Sequence, residues 1–397
     1  MKYAYFVSPH IGGTYSVFRH LRKGLGAYGV DVRWMGIGQQ DFDAASRWFP
    51  DLAFGGYVRI GADVREAEQA NLLLGAIEAG GYDGVFVNVL ADRVQTNVAR
   101  YLPEKIKRIM IVHNITPGTY AAAAAIREHV HATVGVSSRC REDLVRRYAF
   151  RPNRTFAIDN AVDTEVSTRM ERFPARTPGL RLAYLGRVED VSKGVFWLAD
   201  IFKQLTTDAT LTIAGDGPDL ERLKVRLAPF GDRVHFHGFV APEEVPALLC
   251  RHDVLVMPSR FEGFGLTIIE AMAAGCVPVV SRIAGVTDTI VEHGVNGFLF
   301  PVGNSRLAAR SVDGLGDPET WRRMSDAARR RAGNAFTIAQ MAERYRKVID
   351  LVQHNDVLPT APLELGHWTM PKGLRSGFRT YLPGPVKNWL REIRERL

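Results

Sequence analysis

The sequence predicts an α/β protein with two parallel-sheet domains in tandem, and three observations support this fold class. With 397 residues, the chain is too long for one ordinary core, and domains of about 150 residues each would give two or three. Short apolar runs alternate with longer amphipathic ones, which is typical of a parallel sheet covered by helices. The alternation breaks at 172–179, where proline and glycine indicate a linker, and then starts again.

The first half of the chain is predicted to hold one complete sheet. Val17, Leu21 and Leu25 recur at helical spacing and predict a helix over 17–28. The short alanine run at 121–125 is also interpreted as helix. Buried strands are predicted at the apolar runs 3–7, 30–34, 84–89, 109–112 and 133–136.

A second sheet is predicted after the linker. Its strands are expected at 182–185, 211–214, 234–236, 254–257 and 277–280, with helices at 194–205, 219–227, 242–249 and 305–315. The predicted domains are therefore 1–172 and 178–335, followed by a helical segment, 336–397, that returns to the body. Ligands of open parallel sheets bind beyond the carboxyl ends of the strands, so we expect the site in the cleft between two such domains.

Composition excludes several classes of protein. Hydrophobic residues make up 46% of the chain and charged residues 24%, which is typical of a soluble globular protein and not of a disordered one. There is no run of about 18 uncharged apolar residues, and the apolar start reaches Ser8 and Pro9 too soon for a signal peptide. Cys140, Cys250 and Cys276 lie far apart without a CxxC pair. We therefore expect a cytoplasmic protein without a disulfide framework or a structural zinc site.

The net charge of +8 comes from 51 basic and 43 acidic residues, and most of it lies in one stretch. From residue 371 to 397 there are seven basic side chains and two acidic ones, so this stretch carries +5. The rest of the chain carries about +3, which does not indicate a nucleic-acid surface. We therefore expect no nucleic-acid partner.

The C-terminal stretch is also predicted to form a basic amphipathic helix that begins near Pro385. Its apolar face consists of Val386, Trp389, Leu390, Ile393 and Leu397. Such a helix either docks on the enzyme body or lies on an anionic membrane surface, where each basic residue contributes about 1 kcal/mol. The second alternative would place the protein on the inner face of the membrane through 371–397.

The segment 258–278 carries the strongest chemical signal. It follows an apolar strand, enters a helix, and reads PSRFEGFGLTIIEAMAAGCVP. The free amide groups of Gly265, Leu266 and Thr267 would form a phosphate site at the helix N-terminus, and the glycines would let a ligand approach the backbone. Glu270 can accept two hydrogen bonds from a diol such as a ribose, and Glu262 can do the same for a sugar ring. Either glutamate alone would be explained equally well by ordinary helix capping.

The spacing Glu262-x7-Glu270 within EGFGLTIIEAMAAGCVPVV resembles the signature of retaining glycosyltransferases of the GT-B fold. More narrowly, it resembles the glycogen-synthase-like group that uses nucleotide-sugar donors, family four of the usual classification. Other segments along about residues 1–350 resemble this family in the same order. They include SPHIGGTYSVF with Gly12 and Gly13, IVHN with His113, YLGRVEDVSKG with Arg187 and Lys193, and IAGDGPDLERL with Gly215 and Gly217.

The resemblance implies two Rossmann-like domains facing across a cleft, the first on the acceptor side and the second binding the nucleotide sugar. It implies retaining transfer of a sugar from a nucleoside-diphosphate sugar to a hydroxyl acceptor, such as a glycan, a lipid-linked glycan or a small metabolite. It also implies no metal ion and no cofactor, with a UDP-sugar favoured over a GDP-sugar as the donor. Asp216, between two glycines, is interpreted as a turn residue and not as a metal ligand.

The resemblance implies roles for single residues as well. Arg187 and Lys193 would neutralise the donor diphosphate. His113 would hydrogen-bond the donor sugar near the reacting carbon, and Glu262 would bind sugar hydroxyls and stabilise the oxocarbenium-like transition state. The other donor-binding residues are expected to be Gly12, Gly13, Gly215, Gly217, Phe264, Gly265, Leu266, Thr267 and Glu270.

Acceptor recognition is predicted less narrowly. Asn88, Asp92 and Tyr120 lie at or after the ends of first-domain strands and are candidate acceptor residues, although ordinary loop positions would explain them equally well.

Two features depart from the family: Arg187 and Lys193 are one residue further apart than in many relatives, and Asp288 replaces a glutamate. A sugar-nucleotide epimerase of the same fold and a non-catalytic sugar-nucleotide-binding homologue remain alternatives. The sequence does not indicate an oligomeric state.

Overall fold

In the computed structural model, residues 1–10, 12–38, 46–61, 63–89, 91–169, 179–354 and 360–375 are described. They form two compact units: the first contains Met1–Ala161 and the described chain from Ile338 onward, and the second contains Val162–Thr337. None of the helices in these ranges is long and apolar enough to cross a membrane. The predicted amphipathic helix after Pro385 and most of the predicted linker lie outside the described residues.

The first unit is built on a parallel sheet. Its strands are β1 (Lys2–Phe6), β2 (Asp31–Gly38), β3 (Gly55–Arg59), β4 (Gly84–Asn88), β5 (Lys107–Val112), β6 (Ala132–Gly135) and β7 (Thr155–Ala157). They pair in the order β3-β2-β1-β4-β5-β6-β7. The helices are α1 (Gly13–Gly26), α2 (Glu66–Ala79), α3 (Arg93–Val98), α4 (Pro117–Ile126), α5 (Ser138–Tyr148) and the later α15 (Ile338–His354).

Helix α15 returns to the first unit and packs against α1. Gly24 of α1 makes this approach close, because a Cβ atom there would lie 2.6 Å from the Cβ atom of Ala342. The apolar face of α1 that the periodicity predicts, including Val17, Leu21 and Leu25, is buried. A short turn at Lys372–Leu374 then packs on α4, with Leu374 buried.

The second unit contains another parallel sheet. Its strands are β8 (Leu180–Leu185), β9 (Ala209–Ala214), β10 (Val234–Gly238), β11 (Val254–Met257), β12 (Val277–Arg282) and β13 (Phe298–Pro301). They pair in the order β10-β9-β8-β11-β12-β13. The helices are α6 (Thr164–Arg169), α7 (Asp190–Lys193), α8 (Trp197–Lys203), α9 (Leu220–Leu227), α10 (Val245–Cys250), α11 (Leu266–Ala273), α12 (Thr287–Ile290), α13 (Ser305–Asp313) and α14 (Pro318–Ala335).

The chain passes between the units at places that differ from the predicted boundaries. It enters the second unit after Ala161, before the predicted residue 172, because α6 packs against α10 and α11. It returns to the first unit after Thr337, close to the predicted residue 335. The described part of the predicted segment 336–397 returns to the first unit, as α15 belongs to it and packs against α1.

The predicted strands are present, with ends shifted by a few residues, but three strands were not predicted. These are β3 and β7, at the two edges of the first sheet, and β13, at one edge of the second. An edge strand packs on fewer neighbours and needs fewer apolar residues than a central one. β3, with the sequence GGYVR, has no fully buried residue and gives a correspondingly weak signal.

Each sheet has one place where the direction of strand order reverses. In the first sheet this switch point lies between β1 and β4, and in the second between β8 and β11. The loops after those two strands diverge there and leave a crevice at the carboxyl ends of the strands, where open parallel sheets bind ligands. Both switch points coincide with segments that the sequence singles out.

Candidate functional site

An ion pair between a buried carboxylate and a partly exposed lysine occupies the switch point of the second sheet. Lys193, in the loop after β8, places its Nζ 2.6 Å from Oε1 of Glu262, in the loop after β11. The same oxygen accepts a hydrogen bond of 2.7 Å from Ser259. The Glu262 side chain is only 9% exposed, so the bonds from these two partners compensate the loss of water around its carboxylate.

Arg260 fastens the two loops together. Its Nε donates to the carbonyl oxygen of Asp190 and its Nη2 to the Asp190 carboxylate, each at 2.8 Å. Its backbone nitrogen donates to the carbonyl oxygen of Ser192, and its guanidinium stacks 3.9 Å above the ring of Trp197. Asp190 and Ser192 belong to the same helical turn as Lys193, so these bonds fix the position of the lysine relative to Glu262.

The segment between Arg187 and Lys193 contains a short helical turn. Gly194 ends this turn, α7, in the left-handed conformation, with φ of 59°. Arg187 lies before the turn, is 65% exposed, and places Nη2 3.5 Å from Oε1 of Glu189. The two predicted diphosphate ligands thus pair with different carboxylates, and the structure does not bring them onto a common partner.

The N-terminus of α11 lies directly after the ion-pair loop. Gly265 precedes the helix with φ of 110°, a conformation that side chains with a Cβ rarely adopt. Leu266 and Thr267 form the first turn, and no side chain caps it. Phe264 is buried with its ring 6.1 Å from that of Phe336. The first turn therefore keeps backbone donors available, as an anion site requires.

Glu270 lies one turn further along α11. Its carboxylate accepts no hydrogen bond from the described residues, and burial raises its pKa from 4.5 to about 7. A carboxylate in such surroundings favours a partner that brings hydroxyl donors, because each hydrogen bond to the charged form offsets part of the desolvation cost.

Gly215 and Gly217 have a packing role in the structure. A Cβ atom on Gly215 would lie 1.9 Å from the carbonyl oxygen of Gly186, and one on Gly217 would lie 2.3 Å from that of Val188. The loop after β9 therefore packs backbone to backbone against the loop after β8. Asp216 accepts a hydrogen bond of 2.7 Å from the nitrogen of Gly217, which agrees with its interpretation as a turn residue.

Asp288, where many relatives are expected to have glutamate, also serves its own loop. Its Oδ1 accepts a hydrogen bond of 2.7 Å from the backbone nitrogen of Gly285. The shorter side chain thus stabilises the turn after β12. Among the described residues, no group of three or more His, Cys, Asp or Glu side chains is arranged to hold a metal ion.

The switch point of the first sheet holds a cavity of about 410 Å³. Asn88, at the end of β4, and Asp92, four residues later, both contribute to its wall, as do His10, Thr14 and Gln95. Asp92 also caps α3 by accepting hydrogen bonds from the nitrogens of Val94 and Gln95. Two of the three candidate acceptor residues therefore share one cavity.

The third candidate, Tyr120, lies apart from that cavity. It is fully buried on α4, and its hydroxyl donates to the carboxylate of Asp143 at 3.0 Å. Its ring packs 5.0 Å from that of Tyr148. These contacts give Tyr120 a place in the packing between α4 and α5.

His113 follows β5 and is half-buried. Its Nε2 lies 3.3 Å from the hydroxyl of Tyr5, and burial lowers its pKa from 6.5 to about 4. The imidazole is therefore neutral at physiological pH. Gly12 and Gly13 are exposed at the start of α1, where no side chain caps the helix.

Sequence reasoning missed three residues that organise these sites. Arg260 stands inside the 258–278 segment, but its bonds to Asp190 join positions far apart in the sequence. His10 and Thr14 bond to each other at 2.9 Å beside the cavity. The sequence could have indicated this pair only through its spacing of four residues, which spans a loop and the start of a helix.

Comparison with known proteins adds a family for one region. Residues 179–316, within the second unit, match the sequence model of the family described as "Glycosyl transferases group 1". This region contains both loops of the ion pair and all of α11.

Curated relatives are similar over part of their length. The alpha-D-kanosaminyltransferase of Streptomyces kanamyceticus is 27% identical over 275 residues, which cover 64% of this chain and 70% of the relative. The glycogen synthase of Mycobacterium tuberculosis is 32% identical over 221 residues, or 54% of this chain and 52% of the relative. The chain spans only about half the length of most such relatives.

Solved structures are similar over almost the whole chain. The Anabaena protein HepE, solved in complex with UDP and glucose, aligns with a TM-score of 0.72 at 18% identity, covering 88% of this chain and 99% of that one. At this identity the likeness concerns the fold alone. It confirms the predicted class, α/β with two Rossmann-like parallel-sheet domains in the GT-B manner.

Proposed function

We propose that the protein is a retaining glycosyltransferase, which moves a sugar from a nucleoside-diphosphate sugar to a hydroxyl acceptor. The observation that carries this proposal is the pairing of Lys193 with the buried Glu262 at the switch point of the second sheet, directly before the uncapped N-terminus of α11. The similarity of residues 179–316 to glycosyl transferases group 1 supports it, because the same segment holds the pair.

The donor diphosphate would bind to the cations and the helix start. The leaving phosphate gains negative charge as the glycosidic bond breaks, so donors that meet it lower the barrier. Arg187 is exposed and only weakly paired, so its guanidinium can turn to a phosphate and bind it through two N–H groups. The backbone amides of Leu266 and Thr267 would supply neutral donors.

The two glutamates would bind the sugar parts of the donor. Glu270 would accept hydrogen bonds from the ribose diol, which would compensate its desolvated carboxylate. Glu262 would hydrogen-bond hydroxyls of the transferred sugar and stabilise positive charge that develops on the ring. In this proposal Glu262 is not a covalent nucleophile.

His113 would bind the donor sugar as a neutral side chain. Since its pKa of about 4 keeps it uncharged, it would serve as a hydrogen-bonding group and not as the base. The departing phosphate can take the acceptor proton in a retaining reaction, and no metal ion is needed in this scheme. Gly12 and Gly13 would approach the distal phosphate through their backbone amides.

The donor is proposed to be a UDP-sugar, in line with the UDP bound in the Anabaena structure. The named relatives act on different substrates, so they do not indicate one acceptor. We also propose that the protein works in the cytoplasm, with the basic stretch that follows Arg375 as its contact to an anionic membrane surface.

A two-stage experiment tests the proposal. Thermal unfolding is first measured with UDP-, GDP- and ADP-sugars, where a donor present at a hundred times its Kd stabilises by about 2.7 kcal/mol. Donor turnover is then followed by NMR with and without acceptors, which gives the anomeric configuration of the product. Conversion of the donor without an acceptor would indicate an epimerase, and binding without turnover a non-catalytic protein.

Variants locate the site. Arg187→Ala and Lys193→Ala are each expected to slow transfer at least a hundredfold, because each removes a charge-assisted bond to the leaving group. The matched controls are Arg146→Ala and Lys224→Ala, whose side chains are 77% and 43% exposed in surface ion pairs. Transfer kinetics that stay at the wild-type level in both site variants would refute the assignment.

A further inference from the structure

We infer that the cavity at the switch point of the first sheet is an acceptor subsite that selects an uncharged, polyhydroxylated group over a phosphorylated or carboxylated one. The inference rests on the proposed transferase function and adds the chemical class of its acceptor. Four observations support it: the position of the cavity, a buried amide without a hydrogen bond of good geometry, the bonding of two further side chains, and the charge of the wall.

The position is the one where this fold binds ligands. The cavity wall comes from the loop after β1, from the start of α1, from β2, from the end of β4 and from α3, on either side of the β1/β4 switch point. A volume of about 410 Å³ lies within the range of pockets for small molecules. A sugar ring therefore fits this space.

Asn88 supplies an unpartnered polar group in the wall. Its side chain is 1% exposed, and neither its oxygen nor its nitrogen has a hydrogen-bond partner of good geometry among the described residues. The Tyr5 hydroxyl lies close by and makes a side-chain hydrogen bond with it that falls outside this geometry. The buried amide is thus at most partly satisfied, which is costly, and a ligand hydroxyl can donate to its oxygen or accept from its nitrogen.

Hydrogen bonds hold the Asp92 and Gln95 side chains in place, and each side chain keeps one oxygen that can accept a hydrogen bond from a ligand. Asp92 accepts from the nitrogens of Val94 and Gln95, at 2.7 and 3.0 Å, through one oxygen only. Gln95 donates its amide to the carbonyl oxygen of Met35 at 2.7 Å. The second carboxylate oxygen and the Gln95 carbonyl remain as acceptors, which suit the hydroxyl protons of a sugar.

The His10–Thr14 pair forms another part of the wall. Nδ1 of His10 donates to the carbonyl oxygen of Ser8 at 2.8 Å, and Nε2 shares a hydrogen bond of 2.9 Å with the Thr14 hydroxyl. Both ring nitrogens are therefore engaged within the protein and are not available to a ligand.

The charge of the wall decides between acceptor classes. Its described residues include one carboxylate, that of Asp92, and no lysine or arginine. Phosphate and carboxylate groups are held in proteins by cations and arrays of N–H donors. In this cavity an anionic ligand would lose its hydration and face a like charge instead.

The experiment compares neutral sugars with the corresponding sugar phosphates, and adds a carboxylate as a further anionic acceptor. The full-length protein and its donor are offered methyl glucoside and methyl mannoside, and separately glucose 6-phosphate, mannose 6-phosphate and L-malate. Binding is measured by ligand-observed NMR and transfer by product formation. We expect the neutral members to bind and react at least tenfold better. Preference for an anionic member, or no binding by any neutral member, would overturn the inference.

Two variants locate the effect in the cavity. Asn88→Ala should raise the acceptor KM about tenfold, the loss expected for one hydrogen-bonding group. Ala91→Lys, which adds a cation to the wall, should shift the preference toward the phosphorylated members. Asn153→Ala, an exposed asparagine of the same unit, is the matched control.

The outcomes separate this inference from the function on which it rests. If no nucleotide sugar stabilises the wild-type protein, the proposed function fails, whatever the cavity binds. If a donor binds and transfer occurs, but the acceptor KM is the same in Asn88→Ala and in the Asn153→Ala control, only the acceptor subsite is refuted.

Discussion

Replacing Glu270 by glutamine should stabilise the protein at alkaline pH, although the same change should weaken donor binding. Burial on α11 raises the pKa of this carboxyl from 4.5 to about 7, with no described hydrogen bond to compensate its charge. The difference of about 2.5 pH units corresponds to about 3 kcal/mol. This is an upper value, because the side chain keeps some contact with solvent.

The sign follows from proton binding in the two states. Between pH 4.5 and 7 the folded protein keeps a proton on Glu270 that the unfolded chain has released, so the free energy of unfolding falls as pH rises. The favourable contribution is complete below pH 4.5 and is lost as pH passes through about 7. Glutamine does not titrate, so Glu270→Gln should lose this component of the pH dependence.

Urea denaturation at pH 5 and pH 8.5 measures the effect. The stability of Glu270→Gln relative to wild type should increase by up to about 3 kcal/mol from the lower to the higher pH. Glu68→Gln, at an exposed position of α2, is the control and should show no such change. Parallel pH profiles for wild type and Glu270→Gln would refute the reasoning about burial.

The same variant tests the proposed contact to the ribose. Glutamine keeps one acceptor oxygen but loses the charge, and hydrogen bonds to a charged acceptor are about twice as strong as neutral ones. Donor affinity should therefore fall about tenfold at pH 8.5, while stability rises. Unchanged donor affinity would remove Glu270 from the binding site without affecting the stability argument.

Three further predictions concern packing, titration and the C-terminus. Gly217→Ala should cost about 1–3 kcal/mol in urea denaturation, because its Cβ would lie 2.3 Å from a backbone oxygen, whereas Gly118→Ala, with open space around it, should not destabilise. The ring signals of His113 should not titrate in NMR above pH 5, since burial lowers its pKa to about 4, and a midpoint near 6.5 would contradict this. The contribution of the neutral ring to stability is complete above pH 6.5 and is lost as pH falls through about 4. A 1–375 truncation, which keeps the buried Leu374, should sediment less with anionic vesicles than the full chain, and equal sedimentation would exclude the tail as the membrane contact.

The central part of each sheet could be predicted because burial leaves a clear pattern. A strand covered on both faces must be apolar throughout, as in the fully buried β11 with the sequence VLVM. The edge strands β3 and β7 have less to bury and gave no comparable pattern. Likewise α6 joins the second unit through contacts with α10 and α11, which the linker composition after it could not indicate.

The candidate site could be predicted in its residues but not in its pairings. Family resemblance pointed to Lys193 and Glu262 separately, while their bond depends on one helical turn, α7, and on Arg260 holding that turn. In the same way, a polar residue after a strand can meet a ligand or a neighbour. Asn88 lies in a cavity wall without a hydrogen-bond partner of good geometry, whereas Tyr120 is bonded to Asp143, and only the packing of α4 on α5 distinguishes the two.

Arg187 and Lys193 pair with carboxylates that differ in burial, and this difference gives the two side chains different roles. The Arg187–Glu189 pair is exposed and 3.5 Å long, so it contributes at most about 1 kcal/mol and a phosphate can replace Glu189 at little cost. Glu262 is buried, and separating it from Lys193 would leave a charge whose desolvation costs several kcal/mol. A phosphate should therefore draw Arg187 away from its partner but join Lys193 without displacing Glu262. An ammonium group has three donors and can bond both oxygens at once. Lys193 would then couple the charge of the leaving phosphate to the carboxylate that stabilises the sugar.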